Sequence, residues 1–143
     1  MFNAIITGHG TFSIGMLNAL EMIAGSQEKM KAIPFLEDDS LENYQNKIID
    51  HMDELTKGEE TLIVFTDLLG GTPFNTSMLL SSDKPNIFVI AGTNLPILLE
   101  FVVQRWADDE PKEVLTKLIE TSKLGTVLGD IPKEIIVEEE DGI

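Results

Sequence analysis

Thr61-Leu62-Ile63-Val64-Phe65-Thr66 restricts the fold more than any other segment of the chain. Successive side chains of a β-strand point to opposite faces, so a strand exposed on one side alternates apolar and polar residues. Here the apolar residues run unbroken between two threonines. Such a run asks for cover on both faces, which is the position of a central strand in a parallel sheet flanked by helices. The remaining segments agree, alternating strand-like and helix-like patterns along the whole chain. The prediction is a single α/β domain with a mainly parallel sheet of order 2-1-3-4, helices on both faces and a C-terminal edge strand.

The elements follow from periodicity and punctuation. Phe2–Thr7 is the first strand. Residues 11–24 form a helix with Phe12, Met16, Ala19, Leu20 and Ile23 on one face, stopped at Gly25. Residues 31–36 read as a strand placed at an edge, because Pro34 lacks a ladder donor. A helix starts near Asp39-Ser40, where Asp39 and Glu42 fit a capping box, and its stripe is Leu41, Tyr44, Ile48, Met52 and Leu55. Thr72-Pro73 opens a third helix, with the threonine hydroxyl as cap and proline at the first position. Asn86–Ala91 is the fourth strand, Asn94–Arg105 an apolar helix, and 109–124 a last helix ended by Gly125. An extra edge strand is expected at Thr126–Leu128 or Glu134–Val137. The domain is assigned to 1–128, with 129–143 as edge strand and acidic tail. Met16, Met22, Met52 and Met78 are expected in the core.

Composition narrows the function. The formal charge of −15 opposes binding to nucleic acid or to an anionic membrane, both of which need clustered Lys and Arg. No apolar run reaches the roughly 20 residues of a membrane helix, and Met1-Phe2-Asn3 lacks a basic leader, so a cytoplasmic protein is expected. The chain has no cysteine, hence no disulfides and no thiolate metal site. Gly8-His9-Gly10 with Gly15 misses the dinucleotide spacing, and Glu37-Asp38-Asp39 reads as a loop and helix start. No cofactor and no metal are expected.

Two segments carry chemistry. His9 follows the apolar run Ile5-Ile6-Thr7 and lies between Gly8 and Gly10, just before a helix. Asp67 follows the central strand and precedes Leu68-Leu69-Gly70-Gly71-Thr72. Open α/β sheets bind ligands beyond the carboxyl ends of their strands, where the order reverses. In order 2-1-3-4 that point falls between these two segments, on strands roughly 4.8 Å apart. An aspartate accepting from Nδ1–H leaves the Nε2 lone pair free as a nucleophile. Residues 1–28 and 58–83 contain no Lys or Arg, so a phosphoryl group on His9 would rest on amides and hydroxyls at Gly10, Thr11, Gly71 and Thr72. His51, among Asp50, Asp53 and Glu54, is read as surface.

Taken together, these motifs resemble the enzyme IIA component of the mannose/fructose/sorbose family of the bacterial sugar phosphotransferase system. The matching pieces are Ile5-Ile6-Thr7-Gly8-His9-Gly10, Phe65-Thr66-Asp67-Leu68-Leu69-Gly70-Gly71-Thr72-Pro73-Phe74-Asn75, and Ile90-Ala91-Gly92-Thr93-Asn94-Leu95-Pro96. The resemblance implies a phosphotransferase component with a phosphohistidine intermediate. His9 would accept phosphate from the histidine-containing phosphocarrier protein and pass it to a IIB component, serving membrane IIC and IID components indirectly. It also implies that Asp67 orients His9, that Thr72 contacts the phosphoryl group, and that the protein is a homodimer. The runner-up is the phosphocarrier subunit of a dihydroxyacetone kinase. A histidine phosphatase would need an arginine beside its histidine, and Arg105, the sole arginine, is far along the chain.

Overall fold

The computed structural model describes residues 1–130. Four parallel strands, β1 (Phe2–His9), β2 (Met30–Phe35), β3 (Thr61–Thr66) and β4 (Ile87–Ile90), form one sheet in the order β2-β1-β3-β4. Helices α1 (Phe12–Ala24), α2 (Leu41–Leu55), α3 (Thr72–Ser81), α4 (Leu95–Gln104) and α5 (Pro111–Leu124) connect and follow them. The expected α/β architecture and strand order are those observed.

The period of two along each strand divides the core. Ala4, Ile6, Ile63 and Phe65 face α1, α4 and α5, where they pack with Leu20, Ile97, Phe101, Val114 and Leu118. Ile5, Leu62 and Val64 face the other way, onto Tyr44, Ile48, Met52 and Leu55 of α2 and onto Leu80 of α3. The central strand is thus covered on both sides, as its unbroken apolar run requires. Pro34 sits on β2, at the sheet edge, where a missing ladder donor costs least.

Several local expectations are corrected. β1 extends to His9 rather than ending at Thr7, because the chain stays extended beside β2 through the His9–Phe35 pair. The cap of α2 is Ser40, whose hydroxyl accepts the Asn43 N–H at 3.1 Å. Asp39 instead accepts the Leu36 N–H at 2.8 Å and closes the preceding turn, so the Asp39–Glu42 capping box does not form. Thr72 is the first residue of α3 and Gly71 occupies the cap position, so the threonine hydroxyl is not the cap. Leu41, Ile23, Met22 and Met78 are exposed, lying off the buried stripes of their helices. Residues 126–128 are not a strand, and Val127 and Leu128 are exposed. Glu134–Val137 lies outside the described residues.

Arg105 has a structural task that the sequence did not suggest. It is fully buried beyond the end of α4, where its Nε donates to Phe2 O (3.2 Å), Nη1 to Gln27 Oε1 (3.2 Å) and Nη2 to Glu28 O (2.8 Å). The guanidinium also lies 5.2 Å from the Phe101 ring centroid. One side chain thereby ties α4, the start of β1 and the loop into β2, using the planar fork that only arginine has. Arg105→Ala should lower unfolding stability by about 3 kcal/mol, since it strands buried acceptors, and Arg105→Lys should recover only part of that. Urea denaturation checks this, and a loss within about 0.5 kcal/mol would contradict the assignment.

Candidate active site

The site is built where β1 and β3 end. Their register pairs Thr7 with Thr66, so His9 and Asp67 emerge on neighbouring strands at the same end of the sheet. Gly8 stands between them. A Cβ there would lie 3.0 Å from Asp67 Cγ and 2.6 Å from Phe12 Cδ1, so the missing side chain is what lets the aspartate lean across to His9. At Gly10 the chain turns away with φ +58°, a left-handed conformation that suits glycine.

His9 Nδ1 lies 2.7 Å from Asp67 Oδ2, and the His9 N–H donates to the same oxygen at 2.8 Å. The other carboxylate oxygen accepts the Leu68 N–H at 2.8 Å. Partial burial is the largest single influence on the Asp67 carboxyl and disfavours its charged form. The His9 amide, the His9 ring and the Leu68 amide together outweigh it and hold the carboxyl below the ordinary aspartate range. With an ionised acceptor on Nδ1, the proton belongs on that nitrogen and Nε2 carries the lone pair. The His9 side chain is 50% exposed and that of Asp67 15%, so the acid is sheltered while the ring is open to a partner.

Gly71 completes the ring's surroundings. A Cβ on Gly71 would come within 2.8 Å of His9 Cε1 and 3.6 Å of Nε2. Its backbone (φ −74°) is ordinary, so the reason for glycine here is the closeness of the imidazole. The loop that carries it is tied by Asn75 Nδ2, which donates to Gly70 O at 3.0 Å.

The other expected site residues fall around this pair. Thr11 precedes α1 and Thr72 begins α3, so both lie at helix starts, where unpaired N–H groups and the helix dipole favour an anion. The Gly10 N–H donates to Phe35 O at 2.8 Å and the Gly71 N–H to Leu68 O at 3.1 Å. Those two amides are engaged, and the two glycines supply shape and clearance. Arg105 bonds to the carbonyl at the opposite end of β1, roughly 20 Å from His9 at about 3.3 Å per strand residue. His51 bonds through Nδ1 to Lys47 O on its own helix. Among the described residues no cluster of three or more potential metal ligands is present, and no helix is long and apolar enough to cross a membrane.

With this geometry in view, the comparisons with known proteins are direct. The family model described as "PTS system fructose IIA component" matches residues 3–119. The chain belongs to this family. It is 32% identical over 105 residues to the fructose-specific EIIA component of Bacillus subtilis, covering 73% of this chain and 71% of that one. It is 34% identical over 127 residues to the mannose-specific EIIAB component of Escherichia coli, covering 85% of this chain and 38% of that longer one. The solved EIIA structure from Streptococcus agalactiae superposes with a TM-score of 0.77 at 36% identity, covering 89% of this chain and 96% of that one. The mannose/sorbose IIA subunit from Enterococcus faecalis gives 0.81 at 26% identity, covering 92% and 96%. The chain is thus a phosphotransferase-system IIA component of the mannose family.

Sequence reasoning placed no role on Phe35. It ends the edge strand next to His9, and only the β1–β2 register reveals that.

Two outcomes follow from the geometry. Gly71→Ala should displace the His9 ring and lengthen its 2.7 Å contact with Asp67, while the fold loses only about 1–3 kcal/mol as a local overpacking. A crystal structure of the variant with an unmoved ring would contradict this. Because the folded Asp67 pKa is depressed, its stabilising bonds are fully present above the unfolded value, about 3.9, and are lost as pH falls through the lower folded value. Carboxyl NMR should therefore show Asp67 protonating below the exposed aspartates of the same chain, and protonation above them would contradict the account.

Proposed function

We propose that this IIA component carries a phosphoryl group on Nε2 of His9 between two protein partners. The donor is the histidine-containing phosphocarrier protein and the acceptor a IIB component, which in turn serves membrane IIC and IID components in sugar uptake. The observation that carries this reading is the short contact between His9 Nδ1 and Asp67 on an otherwise open ring.

The step balances without an added reagent. The Nε2 lone pair attacks phosphorus, the phosphorus–nitrogen bond to the donor histidine breaks, and its electrons return to that ring. The Nδ1 proton stays on His9 throughout. Positive charge developing on the imidazole is stabilised by the Asp67 carboxylate, as in other histidine–aspartate pairs. We assign Thr11 and the start of α3 at Thr72 as contacts of the phosphoryl oxygens, with Gly10 and Gly71 giving room for its approach. Residues 1–28 and 58–83 contribute no cation to this cradle, so the phosphoramidate is held without strong neutralisation and stays transferable. The sequence relatives favour a sugar phosphotransferase system over the dihydroxyacetone kinase alternative. The reading includes a protein of the cytoplasm and a homodimer.

Incubation with phosphoenolpyruvate, enzyme I and the phosphocarrier should label the chain with acid-labile, base-stable phosphate. His9→Ala should abolish the label, and Asp67→Ala should slow its acquisition on the order of 100-fold, through lost orientation and charge stabilisation. Label retained in His9→Ala would refute the assignment.

A further inference from the structure

Between His9 and the α2 face of the sheet lies a column of side chains. β1 and β2 pair His9 with Phe35, and the two rings meet edge to face, with centroids 6.1 Å apart and planes at 69°. That separation lies within the range of favourable aromatic pairs. Phe35 packs in turn on Tyr44 of α2, at 4.7 Å between centroids. Tyr44 is fully buried, and its hydroxyl sits 2.6 Å from Thr7 Oγ1. The Thr7 hydroxyl donates its single proton to Ile33 O at 2.7 Å, so Tyr44 is the donor to Thr7. Burial pushes the Tyr44 phenol up to about 12, which keeps it in the donating form.

This column is fixed at both ends. Tyr44 cannot slide without breaking a buried hydrogen bond, and Phe35 is tied to the site through its own carbonyl, which takes the Gly10 N–H at 2.8 Å. The residue after the histidine and the ring beside the histidine therefore hang from the same strand end. Asp67 holds the His9 backbone through its N–H but restrains the ring at one atom only, Nδ1, and the terminal torsion of an imidazole is broad and roughly two-fold. A ring held at Nδ1 alone keeps the freedom to swing, whereas a second contact from the β2 side removes it.

We propose that Phe35 is a positioning residue, which holds the His9 ring with Nδ1 on Asp67 and Nε2 presented to the partner, and that the Tyr44 hydroxyl anchors it. The proposal rests on the reading of His9 as phosphoryl acceptor. A purely structural Phe35, one more apolar residue packed on the α2 side of the core, would affect stability and leave the ring alone.

The test uses the full chain with 15N-labelled histidine. Long-range proton–nitrogen correlations at alkaline pH, where imidazoles are neutral, report the His9 tautomer in the unphosphorylated protein. Phosphoryl acceptance from the loaded phosphocarrier is timed separately. Phe35→Leu should bring in the Nε2–H tautomer and slow acceptance about tenfold, a fraction of the roughly hundredfold that a 1 Å misplacement can cost. Phe35→Tyr should restore both. Leu80→Ala, in the same core cluster but on α3, should cost stability and leave the tautomer unchanged. A wild-type tautomer in Phe35→Leu overturns the proposal, whatever the rate, and so does an equal shift in Leu80→Ala. Should Phe35→Leu not fold, Tyr44→Phe keeps the ring and removes only the anchoring hydroxyl, and an unchanged His9 spectrum there overturns the proposal. A wild-type chain that takes no phosphate would refute the phosphocarrier reading, while the tautomer series would still decide the role of Phe35.

Discussion

The Asp67 carboxylate gathers the site by accepting from three directions at once: the His9 ring, the His9 amide and the Leu68 amide. Each of these bonds favours the ionised acid, and an ionised acid on Nδ1 is what leaves Nε2 nucleophilic. The arrangement exists because two parallel strands end side by side and the residue between their functional ends, Gly8, has no side chain. The contact of Asp67 with the ring and the electrostatics of the pair therefore share one cause, the register of β1 against β3.

The rest of the fold protects that register. Ala4, Ile6, Ile63 and Phe65 lock the two strands against α1, α4 and α5, and Ile5, Leu62 and Val64 lock them against α2 and α3. A slip by one residue would move every one of these side chains to the wrong layer, so the core penalises any displacement of His9 relative to Asp67. At the far end of the sheet Arg105 ties Phe2 to α4 and to the loop into β2. The only arginine is thus used as a brace away from His9, and the segments that carry His9 and Asp67, residues 1–28 and 58–83, hold no Lys or Arg.

Much of this was legible in the sequence, for physical reasons that differ between elements. The Thr61–Thr66 run allowed no environment but a doubly covered strand, and the strand–glycine–histidine and strand–acid–glycine layouts pointed to one switch point. Caps were less legible. Asp39 and Ser40 are both good cap residues, and the choice depended on a turn that Asp39 closes with Leu36. Thr72 resembled a cap because it precedes a proline, yet the helix begins one residue earlier than that reading needs. Met22 and Met78 misled because hydrophobicity alone does not say which helix face a side chain occupies. The contact of Phe35 with His9 was invisible, since it depends on β1 running as far as His9 and on the exact register of β1 against β2.

The central claim is that Asp67 reserves Nδ1 and so commits His9 to reaction at Nε2. The most direct measurement is the 15N–31P coupling pattern of the phosphorylated, histidine-labelled protein. Phosphorus bonded to Nε2 of His9, with the proton retained on Nδ1, is the expected result. Phosphorus on Nδ1, or on any other residue, would contradict it.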